Sequence, residues 1–207
     1  MKNENLNEAP HARKRILDAS IKLFSKLGYE KTSIDLICKE AKVNRAMISY
    51  YYGNKLALYR GIIENITNDL TRQLREIVYN EKGPHRRLRA FINLNIIHNL
   101  EDSSANEIII REIGSNLANS GDILRQHYLQ VIAILADVIQ EGTEKHIFDR
   151  TVPPVAMAIY VFGSINSYFI LQRLLQQTGF ATPINNDHLD LIVDQLYKLI
   201  LNGISSK

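Results

Sequence analysis

A group of mostly polar side chains in the first third of the chain has the chemistry needed to bind a polyanion. An arginine can donate two hydrogen bonds to O6 and N7 of guanine, while hydroxyl and amine groups bind phosphate oxygens. The group consists of Thr32, Ser33, Lys42, Asn44, Arg45, Met47, Ser49, Tyr50, Tyr51 and Lys55. These residues can act together only if the chain folds so that they share one surface.

The sequence offers little for catalysis or metal binding. Its six histidines never lie three or four residues apart, and it contains no HExxH, P-loop or GxSxG motif. Cys38 is the only cysteine, so it cannot form an intrachain disulfide, and it has no evident catalytic partner. The acids Asp187, Asp190 and Asp194 near His188 are better explained as complements of a helix dipole than as metal ligands. We therefore expect no catalytic residue, no metal and no cofactor.

Positive charge is concentrated at the amino-terminal end. Residues 1–60 carry 12 Lys and Arg against 6 Asp and Glu, a net charge of +6, while the remainder carries −3. This asymmetry favours a polyanionic partner for the basic segment. With 45% hydrophobic residues and only 10 Gly and 5 Pro in 207, the composition is that of a globular chain with one large or two small domains.

One uncharged segment, residues 151–172, is about as long as a membrane span. It contains two prolines and the polar residues Ser164, Asn166 and Ser167, and it lacks flanking basic clusters, so we expect a buried helix instead. The first thirty residues contain no apolar segment typical of a secretory signal. The single cysteine also fits a reducing compartment. We predict a soluble, cytoplasmic protein.

The spacing of apolar residues is helical nearly throughout, which predicts an all-α fold of about nine helices. Gly28 is expected to end the first helix, over residues 13–27, as a left-handed cap. A long helix over 55–81 would measure about 40 Å. Further helices are predicted at 84–100, 105–117, 122–144, 154–177 and 186–202. We expect a flexible segment over 1–10, a first domain over 11–60 and a helical domain over 61–207.

The first domain contains a predicted helix-turn-helix. Thr32 to Asp35 resembles a capping box in front of a helix over 33–41. Asn44 is a good N-cap for a second short helix over 45–50. Two short helices joined by a turn of three or four residues form a helix-turn-helix, a motif that places its second helix in the major groove of DNA.

Residues 15–58 resemble the DNA-binding domain of the TetR family of bacterial transcriptional regulators. The matching positions are Arg15-Ile16-Leu17, Ala19, Leu23-Phe24, Gly28-Tyr29, Thr32-Ser33-Ile34, Ile37, Ala41, Val43-Asn44, Ile48, Tyr51-Tyr52, Lys55 and Leu58. The chain departs from the family pattern at Cys38, Ala46, Ser49 and Leu56, where Ala, Gly, Tyr and an acidic residue are usual.

Each candidate residue then has an expected role. Asn44, Arg45 and Met47 lie at the start of the recognition helix and are expected to contact base edges. Phosphates are expected to be bound by the hydroxyls of Thr32 and Ser33, by Tyr50 or Tyr51, and by Lys55 at the start of the long helix. Lys42 and Ser49 lie beside these groups. A purely structural role as caps is the alternative for Thr32, Ser33 and Asn44.

The resemblance implies that the remaining helices bind a small ligand and form a homodimer. Apolar and small residues of the last two helices are the candidates for the dimer interface: Ile159, Gly163, Ser167, Ile170, Leu174, Leu189, Ile192, Leu196 and Leu199. Residues of the middle helices are the candidates for the ligand pocket: Phe91, Asn95, His98, Ile109, Ile113, Tyr128, Ile132 and Phe162. An apolar pocket of this kind would suit a small hydrophobic or aromatic effector.

Taken together, the sequence predicts a sequence-specific DNA-binding transcriptional regulator. Repression is the mode that the resemblance implies, with release from a palindromic operator by the effector. The alternative is a sequence-neutral DNA-binding or interaction protein, which would bind through phosphates alone. An enzyme ranks last, because no catalytic motif is present.

Overall fold

The computed structural model describes residues 5–204, except 102, 150, 152 and 181–185. Within these residues the chain forms nine α-helices, so the prediction of an all-α fold is confirmed. The helices are α1 Asn5–Lys31, α2 Ile34–Ala41, α3 Arg45–Tyr52, α4 Lys55–Asn80, α5 Pro84–Glu101, α6 Ser103–Gly114, α7 Gly121–Glu144, α8 Pro154–Gln177 and α9 Leu189–Ile204. A 3₁₀ turn, Asn186–His188, comes directly before α9.

The largest difference between the predicted and the observed helix boundaries lies at α1, and α6 also ends earlier than predicted. Helix α1 begins at Asn5, so residues 5–10 of the segment predicted to be flexible are helical, and residues 1–4 lie outside the described part. Gly28 interrupts this helix at the predicted position, but at φ 78° and ψ 172° it lies outside the left-handed helical region, and α1 continues beyond it to Lys31. The expected left-handed cap is therefore not formed. Helix α6 ends at Gly114 instead of residue 117, because Asn116 and Leu117 both adopt φ 60°, which an α-helix cannot accommodate.

The chain forms two compact units. Unit 1 comprises residues 1–68 and 103–125, and unit 2 comprises residues 69–102 and 126–207. Unit 1 therefore contains the predicted helix-turn-helix together with α6 and the first residues of α7. The predicted break over 179–183 falls partly on residues 181–185, outside the described part.

The core of unit 1 combines apolar side chains with buried polar groups. Ile16, Phe24, Ile37 and Ile48 are at most 1% exposed and join α1, α2 and α3. The ring of Phe24 meets the buried ring of Tyr59 edge to face, with centroids 4.9 Å apart. Such packing fixes the angle between the short helices, which are too short to be stable on their own.

The core of unit 2 is larger and almost wholly apolar. It includes buried side chains of α4, α5, α7, α8 and α9, among them Phe91, Ile139 and Ile165, together with Phe148 from the segment between α7 and α8. Phe148 packs directly over Gly142, where a Cβ atom would lie only 2.1 Å from the phenyl ring. The absence of a side chain at this glycine is thus what admits the phenyl ring to the core.

Helix α8 is long and apolar enough to span a membrane by length and composition. Only 22% of its most apolar stretch is buried within the chain, so the prediction of a buried helix is not met by a single chain. Ala158, Val161, Ile165 and Phe169 form its buried face. Much of the remaining surface of α8 is apolar and exposed, which is typical of a helix that packs against another molecule.

Candidate nucleic-acid interface

Three residues connect α2 to α3, and their conformations set the geometry of the helix-turn-helix. Lys42 adopts the left-handed conformation, φ 54° and ψ 50°, and its N–H donates to the carbonyl oxygen of Cys38. Asn44 accepts a 3.0 Å hydrogen bond at its side-chain oxygen from the N–H of Met47, so its predicted role as N-cap is confirmed. The two helices of eight residues each are therefore joined by a short turn that is held by backbone and side-chain hydrogen bonds.

Helix α3 has one buried residue and a broad exposed face. Ile48 is 1% exposed and anchors the helix to the core of unit 1. Asn44, Arg45 and Ser49 are exposed, and Tyr50 is 83% exposed. Two of the three predicted base-contacting residues, Asn44 and Arg45, thus lie on a surface that a DNA groove can reach.

Four further candidates flank this face with different degrees of exposure. Met47 and Tyr51 are half-buried, and the Tyr51 ring meets Tyr50 edge to face at 5.0 Å. Lys42 is exposed at the turn. Lys55, the first residue of α4, is half-buried and places its Nζ 4.0 Å from the centroid of the Tyr29 ring. This cation–π contact holds the ammonium group of Lys55 near the end of α4 where unpaired backbone N–H groups favour an anion.

Thr32 does not belong to this surface, and the structure corrects that part of the prediction. Its side chain is buried, and its hydroxyl donates a 2.8 Å hydrogen bond to the carbonyl oxygen of Gly28. Ser33 is instead the N-cap of α2, because its hydroxyl oxygen accepts from the N–H of Leu36 at 3.2 Å. Ser33 is exposed and retains its hydroxyl proton, which can still be donated to a phosphate.

The side chain of Arg45 is paired with Asp35, a residue that the sequence indicated only as part of a capping box. Nε of Arg45 donates to Oδ1 of Asp35 at 2.6 Å, and Nη2 donates to Oδ2 at 2.5 Å. The hydrogen bond from Arg45 lowers the pKa of the Asp35 carboxyl, and the Asp35 carboxylate raises the pKa of the guanidinium. Both groups are therefore ionised at neutral pH.

Helix α6 contributes two residues that the sequence did not indicate as important. Arg111 donates to the carbonyl oxygens of Ser25 and Lys26, at 2.8 and 3.2 Å, and so satisfies carbonyl groups near the end of α1. Glu112 is 1% exposed and accepts hydrogen bonds from the hydroxyl of Tyr59 and from the N–H groups of Asn119 and Ser120.

The Glu112 network also affects the tyrosine. Burial, followed by the charge of Glu112, raises the pKa of Tyr59 well above its usual value, so the hydroxyl remains protonated and donates. A carboxylate in the middle of a helix normally lies on the surface. The only indication in the sequence that Glu112 is buried is the pair Ile108 and Ile109, which lie four and three residues before it on the same side of the helix.

Six of the eight predicted pocket residues lie in unit 2, and three of these form an aromatic cluster. The ring centroid of Phe162 lies 6.4 Å from that of Phe91 and 5.8 Å from that of Tyr128. Asn95 donates its side-chain amide to the carbonyl oxygen of Phe91, while His98 and Ile132 are half-buried in the same unit. Ile109 and Ile113 belong to unit 1, and Ile113 is 47% exposed.

A pocket of about 310 Å³ lies elsewhere in unit 2. Its walls come from α4, α5 and α9 and include Ile77, Arg89 and Val193, but none of the predicted pocket residues. Arg89 is already paired with Asp194 at 2.5 Å. The predicted ligand pocket around Phe91 and Phe162 therefore stays a prediction.

Five of the predicted dimer residues form one stripe along α8. Ile159, Gly163, Ser167, Ile170 and Leu174 recur at spacings of three and four residues, and three of them are large apolar side chains between 47% and 55% exposed. A Cβ atom at Gly163 would meet nothing within 4 Å, so the middle of the stripe is open.

The α9 members of the predicted interface are more mixed. Leu199 is 70% exposed, whereas Leu189 and Leu196 are partly buried against the core of unit 2. Ile192 is 7% exposed and belongs to that core. The structure therefore corrects the prediction for Ile192, whose side chain packs inside its own subunit.

Within the described ranges, no three His, Cys, Asp or Glu side chains come together in a way that could hold a metal ion. The region that carries the helix-turn-helix is instead the one that comparison with known proteins singles out. Residues 16–62 match the family model described as bacterial regulatory proteins of the tetR family.

Two curated relatives align with different parts of the chain. IcaR of Staphylococcus epidermidis, a negative transcriptional regulator of a biofilm operon, is 41% identical over 54 residues, which is 26% of this chain and 29% of that protein. The transcriptional repressor NicS of Pseudomonas putida is 27% identical over 143 residues, 68% of each protein.

A solved structure matches nearly the whole chain. A transcriptional regulator from Saccharomonospora viridis, crystallised with choline, superposes with a TM-score of 0.77 at 17% identity. The match covers 95% of this chain and 98% of that one. At this identity the likeness establishes the fold, and it extends the agreement from the helix-turn-helix to all nine described helices.

Proposed function

The chain belongs to the TetR family of bacterial regulatory proteins, and we propose that it represses transcription as a homodimer bound to a palindromic operator. In this proposal a small hydrophobic or aromatic effector releases the dimer from DNA, and the protein acts in the cytoplasm. A TetR-family member is a DNA-binding transcription regulator and not an enzyme.

The observation that carries the proposal is the exposed outer face of α3. Ile48 anchors the helix, and the side chains of Asn44, Arg45, Ser49 and Tyr50 face outward from it. A recognition helix enters the major groove with its first residues against the base edges, and Asn44 and Arg45 are at that end. Arg45 supplies the donors that guanine requires. Ser33, Lys42 and Lys55 can bind the flanking phosphates.

The stripe along α8 supports a symmetric dimer. A two-fold interface uses the same patch on both subunits, and the stripe from Ile159 to Leu174 extends about 22 Å along the helix axis. The open position at Gly163 would allow two such helices to approach closely. Dimerisation would place two recognition helices on half-sites about 34 to 36 Å apart, which is why a palindromic operator is expected.

The aromatic cluster of unit 2 supports a hydrophobic or aromatic effector. Phe91, Tyr128 and Phe162 provide apolar ring surface beside the amide of Asn95, a combination common in small-molecule sites. The Saccharomonospora viridis regulator of the same fold contains choline, so the fold can hold a small organic molecule. An effector releases DNA only if it binds better to the conformation of the dimer in which the spacing of the two recognition helices does not match the operator.

Selection of bound sites from random DNA by the full-length protein tests the proposal. We expect a palindrome whose half-sites lie one helical turn apart, or a multiple of it. Arg45→Ala is expected to lower the preference for one base pair in each half-site by a factor of about 5 to 150. Lys55→Ala is expected to weaken binding to all sequences alike and to lower the salt dependence by about one phosphate contact.

Two results would contradict this function. Selection without any consensus would mean that the protein binds DNA through phosphates alone, as a sequence-neutral protein does. Equal losses for Arg45→Ala on the selected site and on random DNA would show that Arg45 does not contact a base.

A further inference from the structure

The ion pair between Arg45 and Asp35 lies on the very surface that the proposed function places against DNA. The two side chains are 69% and 66% exposed, and they belong to different helices, α3 and α2. Exposed ion pairs contribute little to stability, so this pair is poorly explained as a device that holds the fold together. A carboxylate facing a polyanion also opposes binding. The pair therefore calls for a role in recognition.

The geometry of the pair leaves one edge of the guanidinium unused. Asp35 accepts from Nε and from one N–H of Nη2. A guanidinium has five N–H groups, so three remain: the second N–H of Nη2 and both of Nη1. The edge formed by Nη1 and Nη2 thus keeps two parallel donors, which is the arrangement that matches O6 and N7 of guanine.

We propose that Asp35 is a specificity-determining residue that holds Arg45 by its inner edge and presents the outer edge, Nη1 and Nη2, to a guanine in each half-site. This inference rests on the proposed function, because it assumes that α3 enters a major groove. Asp35 does not itself touch the base. It fixes the direction of the guanidinium before DNA arrives, so that less side-chain freedom is lost on binding.

The negative charge of Asp35 also increases the preference for guanine over other bases. An arginine without this partner can turn to any nearby phosphate and so bind all sequences. The carboxylate partly neutralises Arg45 and disfavours close approach of the phosphate backbone, which lowers the affinity for DNA in general. Only a base that accepts hydrogen bonds from both Nη1 and Nη2 offsets this loss of affinity. Asp35 therefore increases specificity by weakening the complexes with other sequences.

The test is Asp35→Asn in the full-length protein, with base preference measured by selection from random DNA. We expect the preference for guanine at the position read by Arg45 to fall at least about fivefold, the lower end for one bidentate contact. Affinity for random DNA is expected to stay equal or to rise, because one negative charge is removed. In Asp35→Asn/Arg45→Ala the preference should equal that of Arg45→Ala alone, because the two residues act as one unit.

Glu40→Gln is the matched control. Glu40 lies on the same helix as Asp35 and forms an exposed ion pair with Lys22. Glu40→Gln removes one negative charge from α2, as Asp35→Asn does, but Glu40 is not the partner of Arg45. The variant should therefore leave the base preference unchanged. Asp35→Glu is a second variant that keeps a carboxylate in the first turn of α2, and it should keep the preference for guanine.

The outcomes separate this inference from the proposed function. A wild-type palindrome combined with an unchanged guanine preference in Asp35→Asn overturns the role of Asp35 and leaves the repressor function in place. A loss of preference in Glu40→Gln as large as in Asp35→Asn also overturns it, since the effect would then come from charge alone. If the wild-type protein selects no sequence, both proposals fail together.

Discussion

The two compact units differ in what fills their interiors. Eight polar or charged side chains are buried in the described part of the chain, and six of them belong to unit 1: Ser20, Ser25, Thr32, Thr67, Glu112 and Ser120. Unit 2 has two, Thr71 and Thr143, and its core is otherwise a large apolar cluster. The core of the unit with the helix-turn-helix thus mixes apolar packing with buried polar groups, whereas the core of the other unit is almost wholly apolar.

This difference matches what each unit is proposed to do. The hydroxyl of Tyr59 on α4 donates to Glu112 on α6, and Arg111 on α6 donates to the carbonyl oxygens of Ser25 and Lys26 on α1. Because hydrogen bonds weaken steeply outside a narrow range of geometry, these long-range bonds favour a single arrangement of α1, α4 and α6. A surface that reads base edges needs such a fixed arrangement. Apolar cores tolerate more rearrangement as long as volume is conserved. Unit 2 is therefore the better place for a ligand pocket that must change shape.

The largest effect is expected from a charge in the exposed apolar stripe of unit 2. Ile159→Asp places a carboxylate in the proposed dimer interface, where an unpaired buried charge costs about 3 to 5 kcal/mol. The dimer should then be at least about 100-fold weaker. Sedimentation equilibrium should detect monomers at concentrations where the wild type is dimeric, and operator binding should be lost in gel-shift assays.

Leu129→Asp is the control for that variant. Leu129 is 68% exposed on α7 and lies outside the stripe. Its substitution should leave the mass in solution and the DNA binding unchanged. If Ile159→Asp remains dimeric and Leu129→Asp does not, the interface lies on another face of unit 2.

The apolar packing of unit 2 is tested at Gly142. The Cβ atom of Gly142→Ala would lie 2.1 Å from Cδ2 of Phe148, whose ring is completely buried. Because the ring must shift within the core to admit the methyl group, we expect a loss of about 2 to 3 kcal/mol in the free energy of unfolding, measured with urea. Gly61→Ala is the control: its Cβ meets nothing within 4 Å, so it should gain about 0.5 to 1 kcal/mol.

The polar interior of unit 1 is tested at Tyr59. Tyr59→Phe removes the hydroxyl that donates to Glu112 at 3.1 Å and leaves the ring in place. We expect a loss of about 1.5 kcal/mol, near the lower end for a bond to a charged group, because Glu112 keeps its bonds to Asn119 and Ser120.

The matched substitution in unit 2 is Tyr79→Phe. The hydroxyl of Tyr79 donates to Asp137 at 3.0 Å, but this pair is exposed, so water can replace the lost bond. Its effect should be at most about 0.5 kcal/mol. Equal losses in the two variants would mean that the buried carboxylate of Glu112 has no special importance for unit 1.

The sequence was informative where the determining interactions are local. The start of α3 could be predicted because its N-cap, Asn44, accepts a hydrogen bond from a residue only three positions away. Helix α8 has its predicted bounds because Pro154 and the apolar stretch after it can be recognised in the sequence. The capping box near Thr32 illustrates the limit of this reasoning. Two adjacent hydroxyl residues were equally suitable, and only packing decided that Ser33 caps and Thr32 is buried.

The rest depends on contacts between distant residues. Arg45 and Asp35 are ten residues apart on different helices, so their pairing requires the angle between α2 and α3. The bond between Tyr59 and Glu112 joins residues 53 positions apart. Ile192 has the same helical spacing as the exposed Leu199, and only the packing of unit 2 distinguishes the two.

The smallest effect separates stability from function at the turn of the helix-turn-helix. Lys42 is a non-glycine residue at φ 54°, a conformation that costs most residues about 1 to 2 kcal/mol. Lys42→Gly should therefore raise the free energy of unfolding by about 0.5 to 1 kcal/mol, after the greater entropy of glycine in the unfolded chain is subtracted. The same variant removes an exposed charge, so binding to all DNA should weaken and the salt dependence should fall by about one phosphate contact.

His146→Gly, at φ 59° in unit 2, should be stabilised similarly without any change in DNA binding. A Lys42→Gly variant that is more stable and binds DNA as the wild type does would show that Lys42 contacts no phosphate, and would restrict the DNA surface to α3 and the residues at its two ends.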